Sequence, residues 1–82
     1  MTVDWAKIQN LQLLEVAAGR RRYVRGWKTD QGAAVDMLDA SALDELYEQG
    51  LIWLNWVGAD TDGVPLHRVE LTEAGTAVVK DW

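Results

Sequence analysis

The sequence has no cysteine, no phenylalanine, one proline and one histidine among its 82 residues. The absence of cysteine excludes disulfides and thiolate metal sites, and it is typical of a reducing compartment, so we predict a cytoplasmic protein. No apolar run approaches the roughly 20 residues that a membrane helix needs, and the first residues lack the charged and apolar regions of a signal peptide. We therefore expect a single domain over 1–82 that does not bind membranes, because domains of about 100 residues are common.

Residues that carry catalysis are also scarce. Ser41 is the only serine and is placed where it can cap a helix, and His67 is the only histidine and has no evident acid, base or metal-ligand neighbour. The glycines do not form a phosphate-binding loop. We predict that the chain is not an enzyme and has no catalytic residue, no metal site, no cofactor and no small-molecule substrate.

Charge is unevenly distributed along a chain whose net charge is −5. Residues 1–28 hold six of the eight basic residues and two acids, a local net of +4, whereas 29–82 hold eleven acids against Arg68 and Lys80, a net of −9. An acidic chain is not drawn to nucleic acid as a whole, but a local basic cluster can still contact phosphates.

Apolar spacing predicts a first helix over 4–18. Its expected inner face follows the three-to-four residue repeat and is widened by Leu13, Val16 and Ala17. Thr2 or Asp4 is the expected cap, and Gly19 is the expected stop. The inner face comprises Ile8, Leu11, Leu14 and Ala18.

A hairpin is expected over 20–38. Its first strand, over 20–28, alternates basic with aromatic or β-branched residues, and its turn lies at 29–32. A returning strand follows over 33–38. Strand alternation would then place Tyr23, Arg25 and Trp27 on one face.

The remaining chain predicts a helix, a second hairpin and a short helix. The helix spans about 40–49, is capped by Asp39 or Ser41, and ends at Gly50. Strands are expected over 51–57 and 64–71, joined by a turn at 58–63 that contains the hairpin-forming pair Asp62 and Gly63. Thr72 then caps the last helix. The expected inner residues of the helix at 40–49 are Leu43, Leu46 and Tyr47.

Two segments in this region resemble winged-helix domains of MarR-type regulators. Leu-Asp-Glu-Leu-Tyr-Glu-Gln-Gly-Leu-Ile at 43–52 is similar to the end of a recognition helix, and Val-Glu-Leu-Thr-Glu-Ala-Gly at 69–75 is similar to the opening of the post-wing helix. The resemblance covers about the last 40 residues. It implies an α+β winged-helix fold in the order helix, hairpin, helix, hairpin (wing), short helix, with the hairpin over 20–38 in place of the usual second helix.

The resemblance also implies DNA binding and transcription regulation. The helix at 40–49 bears three acids and offers no Arg or Asn for base contacts, so we expect the basic hairpin and the wing to contact DNA instead. Basic residues beside aromatics bind phosphates and stack on bases. The predicted nucleic-acid-binding residues are Arg20, Arg21, Arg22, Tyr23, Arg25, Trp27, Lys28 and Arg68.

A protein-interaction module is the alternative. Such an adaptor or inhibitor would bind a protein through its acidic helix or its Trp-bearing strand, and a homodimer is also possible, because tryptophan is enriched at interfaces. The five tryptophans have an equally simple interpretation as core fillers in a chain without phenylalanine. The predicted partner-binding residues are Asp44, Glu45, Glu48 and Trp53.

Overall fold

The computed structural model describes residues 3–82 and confirms the α+β class. Three helices and four strands follow one another as helix, two strands, helix, two strands, helix. The elements are α1 (Trp5–Ala17), β1 (Arg21–Tyr23), β2 (Trp27–Thr29), α2 (Met37–Glu48), β3 (Ile52–Ala59), β4 (Pro65–Leu71) and α3 (Glu73–Lys80).

Both ends of α1 follow local capping rules. The side chain of Asp4 accepts a hydrogen bond from the backbone N–H of Lys7 at 3.1 Å, as a capping residue does. Gly19 takes a left-handed conformation, with φ 74°, just past the helix. Asp4 and Gly19 are therefore confirmed as start and stop, whereas Thr2 lies outside the described residues.

The buried face of α1 is only partly the expected one, because it is formed by Leu13 and Val16, which were expected only to widen it. Leu13 and Val16 are buried, but Leu11 and Leu14 are about half exposed, at 49% and 46%. The prediction of an inner stripe through Leu11 and Leu14 is wrong, because apolar residues lie on several sides of this helix and spacing alone does not select among them. The polar Gln12 is buried on the packed face, where it accepts a hydrogen bond from Arg21.

The single strand predicted over 20–28 is wrong, because this segment itself forms a hairpin. β1 and β2 pair antiparallel, and the turn between them is formed by Arg25 and Gly26, both with positive φ (55° and 124°). The turn predicted at 29–32 is confirmed, because the backbone N–H of Gly32 donates to the carbonyl oxygen of Thr29 at 3.0 Å and Gly32 has φ 86°. The strand predicted over 33–38 is wrong, because beyond this turn the chain pairs with β2 only through an isolated bridge between Ala34 and Lys28.

Helix α2 begins at Met37, several residues before its predicted start. The Oδ1 atom of Asp36 accepts from the backbone N–H of Asp39 at 2.9 Å, so Asp36 is the cap. Asp39 and Ser41 lie inside the helix and do not cap it. Met37 and Leu38 extend the helix, which explains why no second strand forms there.

The packed face of α2 is formed by Ala42, Leu43 and Leu46, all buried. Tyr47, expected on that face, is 49% exposed, so this part of the prediction is wrong. Gly50 ends the helix with φ 75°, as predicted.

The second hairpin forms as predicted. β3 and β4 pair antiparallel, with Ile52 opposite Leu71 and Leu54 opposite Val69, and the register shifts between Trp56 and Gly58. Such a shift marks a β-bulge, which bends the end of the hairpin.

Helix α3 is tied to the end of α2. Thr72 caps it by accepting from the backbone N–H of Gly75 at 3.1 Å, and its hydroxyl donates to the carbonyl oxygen of Gly50 at 2.6 Å. A Cβ atom at Gly75 would lie 2.0 Å from the carbonyl oxygen of Leu51. Glycine thus permits the close approach of α3 to the start of the second hairpin.

The two hairpins form one antiparallel sheet in the order β2-β1-β4-β3. All three helices pack against one face of this sheet around a common core. The other face, which we call the outer face, carries the side chains that alternate with the core residues. The buried core residues are Leu13, Val16, Trp27, Leu43, Leu46, Ile52 and Val69, and Val78 and Val79 of α3 pack against them.

Among residues 3–82, no helix is both long enough and apolar enough to cross a bilayer.

Candidate nucleic-acid interface

A row of polar side chains crosses the outer face on all four strands. Arg22 of β1 lies opposite Lys28 of β2 on one side and opposite Arg68 of β4 on the other, and Arg68 lies opposite Asn55 of β3. Adjacent strands are about 4.8 Å apart, so the row spans roughly 14 Å. We call Lys28, Arg22, Arg68 and Asn55 the outer row. The register thus brings Arg68 next to Arg22, which is 46 positions earlier in the sequence.

The cations of the outer row have no carboxylate partners in the described part of the chain. The ion pairs within 4.0 Å among residues 3–82 join Arg20 and Arg21 to Glu15, at 3.4 and 3.7 Å. Like charges directly opposite each other on neighbouring strands destabilise a sheet. Three adjacent cations in an acidic chain therefore form a surface whose electrostatic repulsion a bound anion would relieve.

The guanidinium of Arg22 is held in place by backbone atoms. Its Nη1 donates to the carbonyl oxygens of Gly19 at 2.7 Å and Arg21 at 2.8 Å. Both acceptors are neutral, so the positive charge is positioned without being neutralised. A fixed guanidinium loses less side-chain entropy on binding an anion than a free one does.

Two further side chains border the outer row. Trp53 lies two residues before Asn55 on the same face of β3 and is 44% exposed. Glu70 lies opposite Trp53 on β4. The outer face therefore combines an accessible indole ring with the basic residues, and it also holds one carboxylate.

A groove opens at the side of the outer row. β1 pairs with β4 only at residues 67 and 68, so the chain between Arg22 and α1 leaves the edge of β4 over 69–71 without a neighbouring strand. The resulting groove has a volume of about 570 Å³. It is lined by Val16, Ala17, Gly19, Arg22, Arg68, Val69, Glu70 and Leu71.

Arg21 points away from the outer face. It is buried at 9% exposure, and its Nε donates to the Oε1 atom of Gln12 at 2.9 Å. Its ion pair with Glu15 further ties β1 to α1. The structure thus places Arg21 in the packing of the sheet against α1, and we exclude it from the interface.

The two aromatic residues of the first hairpin also lie on the helix side of the sheet. Trp27 is buried, and its ring meets the ring of Tyr23 edge-on at a centroid distance of 4.9 Å. Strand alternation that puts Arg22 and Lys28 outside necessarily puts Tyr23 and Trp27 inside. Neither ring is placed to stack on a base bound to the outer row.

The other basic residues of this segment are exposed but are not part of the row. Arg20 precedes β1 and pairs with Glu15. Arg25 occupies the turn between β1 and β2, with φ 55°. The structure therefore brings together three of the predicted nucleic-acid-binding residues: Arg22, Lys28 and Arg68.

The acidic residues of α2 are largely engaged within the fold. The indole N–H of Trp27 donates to Asp44 at 2.7 Å, and Glu45 accepts hydrogen bonds from the side chains of Trp5 and Gln9. Glu48 is exposed. Asp44 and Glu45 thus make hydrogen bonds within the fold, and of the three predicted partner-binding acids on this helix only Glu48 makes no side-chain hydrogen bond or ion pair within residues 3–82.

Sequence reasoning missed Asn55 and the groove. Alternation along β3 gave a signal for Asn55, because it places residues 53 and 55 on one face. The sequence contained no signal for the groove, since the groove depends on where β1 stops pairing with β4. Sequence reasoning also did not place Trp53 beside the basic residues, because that requires the pairing register.

Two titratable side chains outside the outer row have unusual surroundings, Asp39 and His67. Burial, followed by the charge of Asp36, raises the pKa of Asp39 above its usual value. The Nδ1 atom of His67 is buried without a hydrogen-bond partner, and its ring lies edge-on to Tyr23 at 6.1 Å. No group of three or more metal-ligating side chains occurs among residues 3–82.

Comparison with protein-family models, with curated proteins and with solved structures gives no match for this chain.

Proposed function

We propose that this chain is a small, non-enzymatic DNA-associated regulatory protein that binds the phosphate backbone with its outer sheet face. The observation that supports the proposal is the outer row itself, in which Lys28, Arg22 and Arg68 adjoin on three strands without carboxylate partners among residues 3–82. Phosphate contacts by Lys and Arg position a protein on nucleic acid irrespective of sequence.

The charge distribution favours a phosphate-bearing partner over an uncharged one. The chain has thirteen acidic residues available for pairing with eight basic ones. If the charges of this face served only solubility, pairing the cations with the chain's own acids would make the sheet more stable. The guanidinium of arginine can donate two parallel hydrogen bonds to one phosphate, so Arg22 and Arg68 are suited to binding neighbouring phosphates.

The winged-helix resemblance remains part of the proposal. It is supported by the order of α2, the β3–β4 hairpin and the Thr72-capped α3. The tip of this hairpin, the expected wing tip, carries Asp60 and Asp62, which phosphates would repel. We therefore expect the second hairpin to contact DNA through Arg68 and not through the tip of the hairpin.

A charge-matched pair of variants tests the proposal. The first combines Arg22→Gln, Lys28→Gln and Arg68→Gln. The control combines substitutions of exposed basic residues outside the row and has the same net charge; it consists of Lys7→Gln, Arg20→Gln and Lys80→Gln. Fluorescence anisotropy then follows binding to a labelled DNA hairpin that carries a single-stranded tail.

The expected result is a decrease of DNA affinity with increasing salt concentration. Three phosphate contacts predict that affinity falls about 20- to 40-fold between 50 and 200 mM salt. The outer-row variant loses most of this binding and its salt dependence, whereas the control retains the larger part of both. Equal losses in the two variants, or no binding by the unsubstituted protein at about 50 mM salt, contradict the proposal.

One observation favours a protein partner as the second candidate. β3 is an edge strand of eight residues, and both Trp53 and Trp56 on it are exposed. Edge strands offer unpaired backbone groups for pairing with another chain, including a second copy. Light scattering after size exclusion tests this candidate: it predicts a dimer that Trp56→Lys dissociates, and a monomer at all concentrations contradicts self-pairing.

A further inference from the structure

We infer that the outer face binds single-stranded nucleic acid, with phosphates on the outer row and a base stacked on Trp53. The inference rests on the proposed function and specifies the form of nucleic acid at the same site. It depends on the position of Trp53, which the proposed function does not use.

The first argument is the shape of the binding surface. The major groove of duplex DNA is about 12 Å wide and admits a helix or a two-stranded ribbon. The outer row lies across four paired strands, so it forms a broad face. Such a face contacts a flexible strand along its length but enters neither groove of a duplex.

The second argument is the accessible indole ring. Trp53 is 44% exposed on the face that carries Arg68 and Asn55, and it lies about 7 Å along β3 from Asn55. Bases of a single strand expose the flat rings that stack on aromatic side chains. Bases of a duplex are already stacked on one another and do not reach a surface residue.

The third argument is the groove beside Arg22 and Arg68. Its volume of about 570 Å³ falls in the range of small-ligand sites, which hold about 300–1,000 Å³. Apolar atoms of Val16, Val69 and Leu71 contribute to its walls. An unstacked base next to a phosphate bound at Arg22 would meet these apolar side chains there, and only a single strand can present such a base.

The test compares three single strands of equal charge with a fully paired DNA duplex. The single strands are labelled oligomers of about eight nucleotides, within the range of known single-strand site sizes: oligo(dT), oligo(U) and an abasic DNA strand of the same length. The variant is Trp53→Ala. The matched control is Trp56→Ala, because Trp56 is more exposed, at 65%, but precedes the bulge on the opposite face.

We expect Trp53→Ala to weaken binding of oligo(dT) about 5- to 150-fold, the range found for loss of one stacked base. The abasic strand should bind the unsubstituted protein at least as weakly as Trp53→Ala binds oligo(dT), because it also lacks the base at the groove, and Trp53→Ala should not weaken it further. Trp56→Ala should leave all affinities unchanged. Comparison of oligo(dT) with oligo(U) distinguishes DNA from RNA as the source of the strand.

The outcomes separate this inference from the proposed function. If duplex and single-stranded DNA bind equally and Trp53→Ala has no effect, but the outer-row variant still loses binding, the single-strand inference is overturned and the proposed function stands. If no oligonucleotide binds, both are overturned. If the abasic strand binds as tightly as oligo(dT), base stacking on Trp53 is refuted.

Discussion

The indole N–H of Trp27 on β2 donates a hydrogen bond of 2.7 Å to the carboxylate of Asp44 on α2. Sequence reasoning assigned these two residues to rival binding surfaces, one for nucleic acid and one for a protein. In the structure these two side chains are hydrogen-bonded to each other and connect the first hairpin to the second helix. Buried tryptophans usually satisfy their N–H in this way.

Replacement of Asp44 by Ala should destabilise the fold. The indole N–H of Trp27 would lose its acceptor at a part-buried position, and loss of such a hydrogen bond costs about 0.5–1.5 kcal/mol. Urea denaturation followed by circular dichroism measures the change in free energy of unfolding. Glu48→Ala on the same helix is the control and should change it by less than about 0.5 kcal/mol, as exposed sites do. Equal effects of the two substitutions would show that the hydrogen bond is not important.

Much of the fold was accessible from the sequence because its signals are local. Capping residues, glycine helix stops and the turn residues at the end of the second hairpin act within a few residues of their own position. Asp4, Gly50 and Thr72 were recognised on this basis and stand where predicted. The resulting α+β class required no knowledge of distant contacts.

The first hairpin and the interface were less accessible, because they depend on competition between segments. The segment at 33–38 has strand-like residues, but Asp36 caps a helix that includes Met37 and Leu38. The row of Arg22 and Arg68 depends on the pairing of β1 with β4, which are far apart in the sequence. Composition identified a basic cluster but did not determine which of its members face outward.

Arg21 should contribute to stability and not to binding. Its hydrogen bond to Gln12 and its ion pair with Glu15 join β1 to α1 from a buried position. Arg21→Ala should lower the free energy of unfolding by about 2–3 kcal/mol, since hydrogen bonds to charged groups are stronger than neutral ones. Arg20→Ala should change it by under about 1 kcal/mol, as surface ion pairs contribute little. Similar values for both would contradict the structural role of Arg21.

Asp39 should make stability depend on pH. Burial first, and Asp36 second, raise its pKa in the folded protein above the 3.8 of an unperturbed aspartate. Its ionisation therefore opposes folding, an effect that is fully present above the folded pKa and disappears as pH falls toward 3.8.

Asp39→Asn should accordingly unfold at higher urea concentration than the unsubstituted protein at pH 7, and the difference should shrink as the pH is lowered through the folded pKa. Denaturation curves at several pH values measure it. The control is Asp62→Asn at the exposed hairpin tip, whose effect should not vary over the same range. A difference for Asp39→Asn that grows at lower pH would have the wrong sign.

Gly75 should be the least replaceable residue of α3. Alanine normally stabilises a helix relative to glycine by about 1 kcal/mol, but a Cβ atom here would lie 2.0 Å from the carbonyl oxygen of Leu51. That atom belongs to the backbone that receives the N–H of Thr72 at 3.0 Å, so it cannot move without loss of this bond. Gly75→Ala should therefore destabilise the protein by about 1–3 kcal/mol, as overpacking does. The matched control is Thr76→Ala at the next, exposed position, which propensity predicts to be neutral or stabilising. A Gly75→Ala protein more stable than the parent would show that α3 does not pack closely against the start of β3.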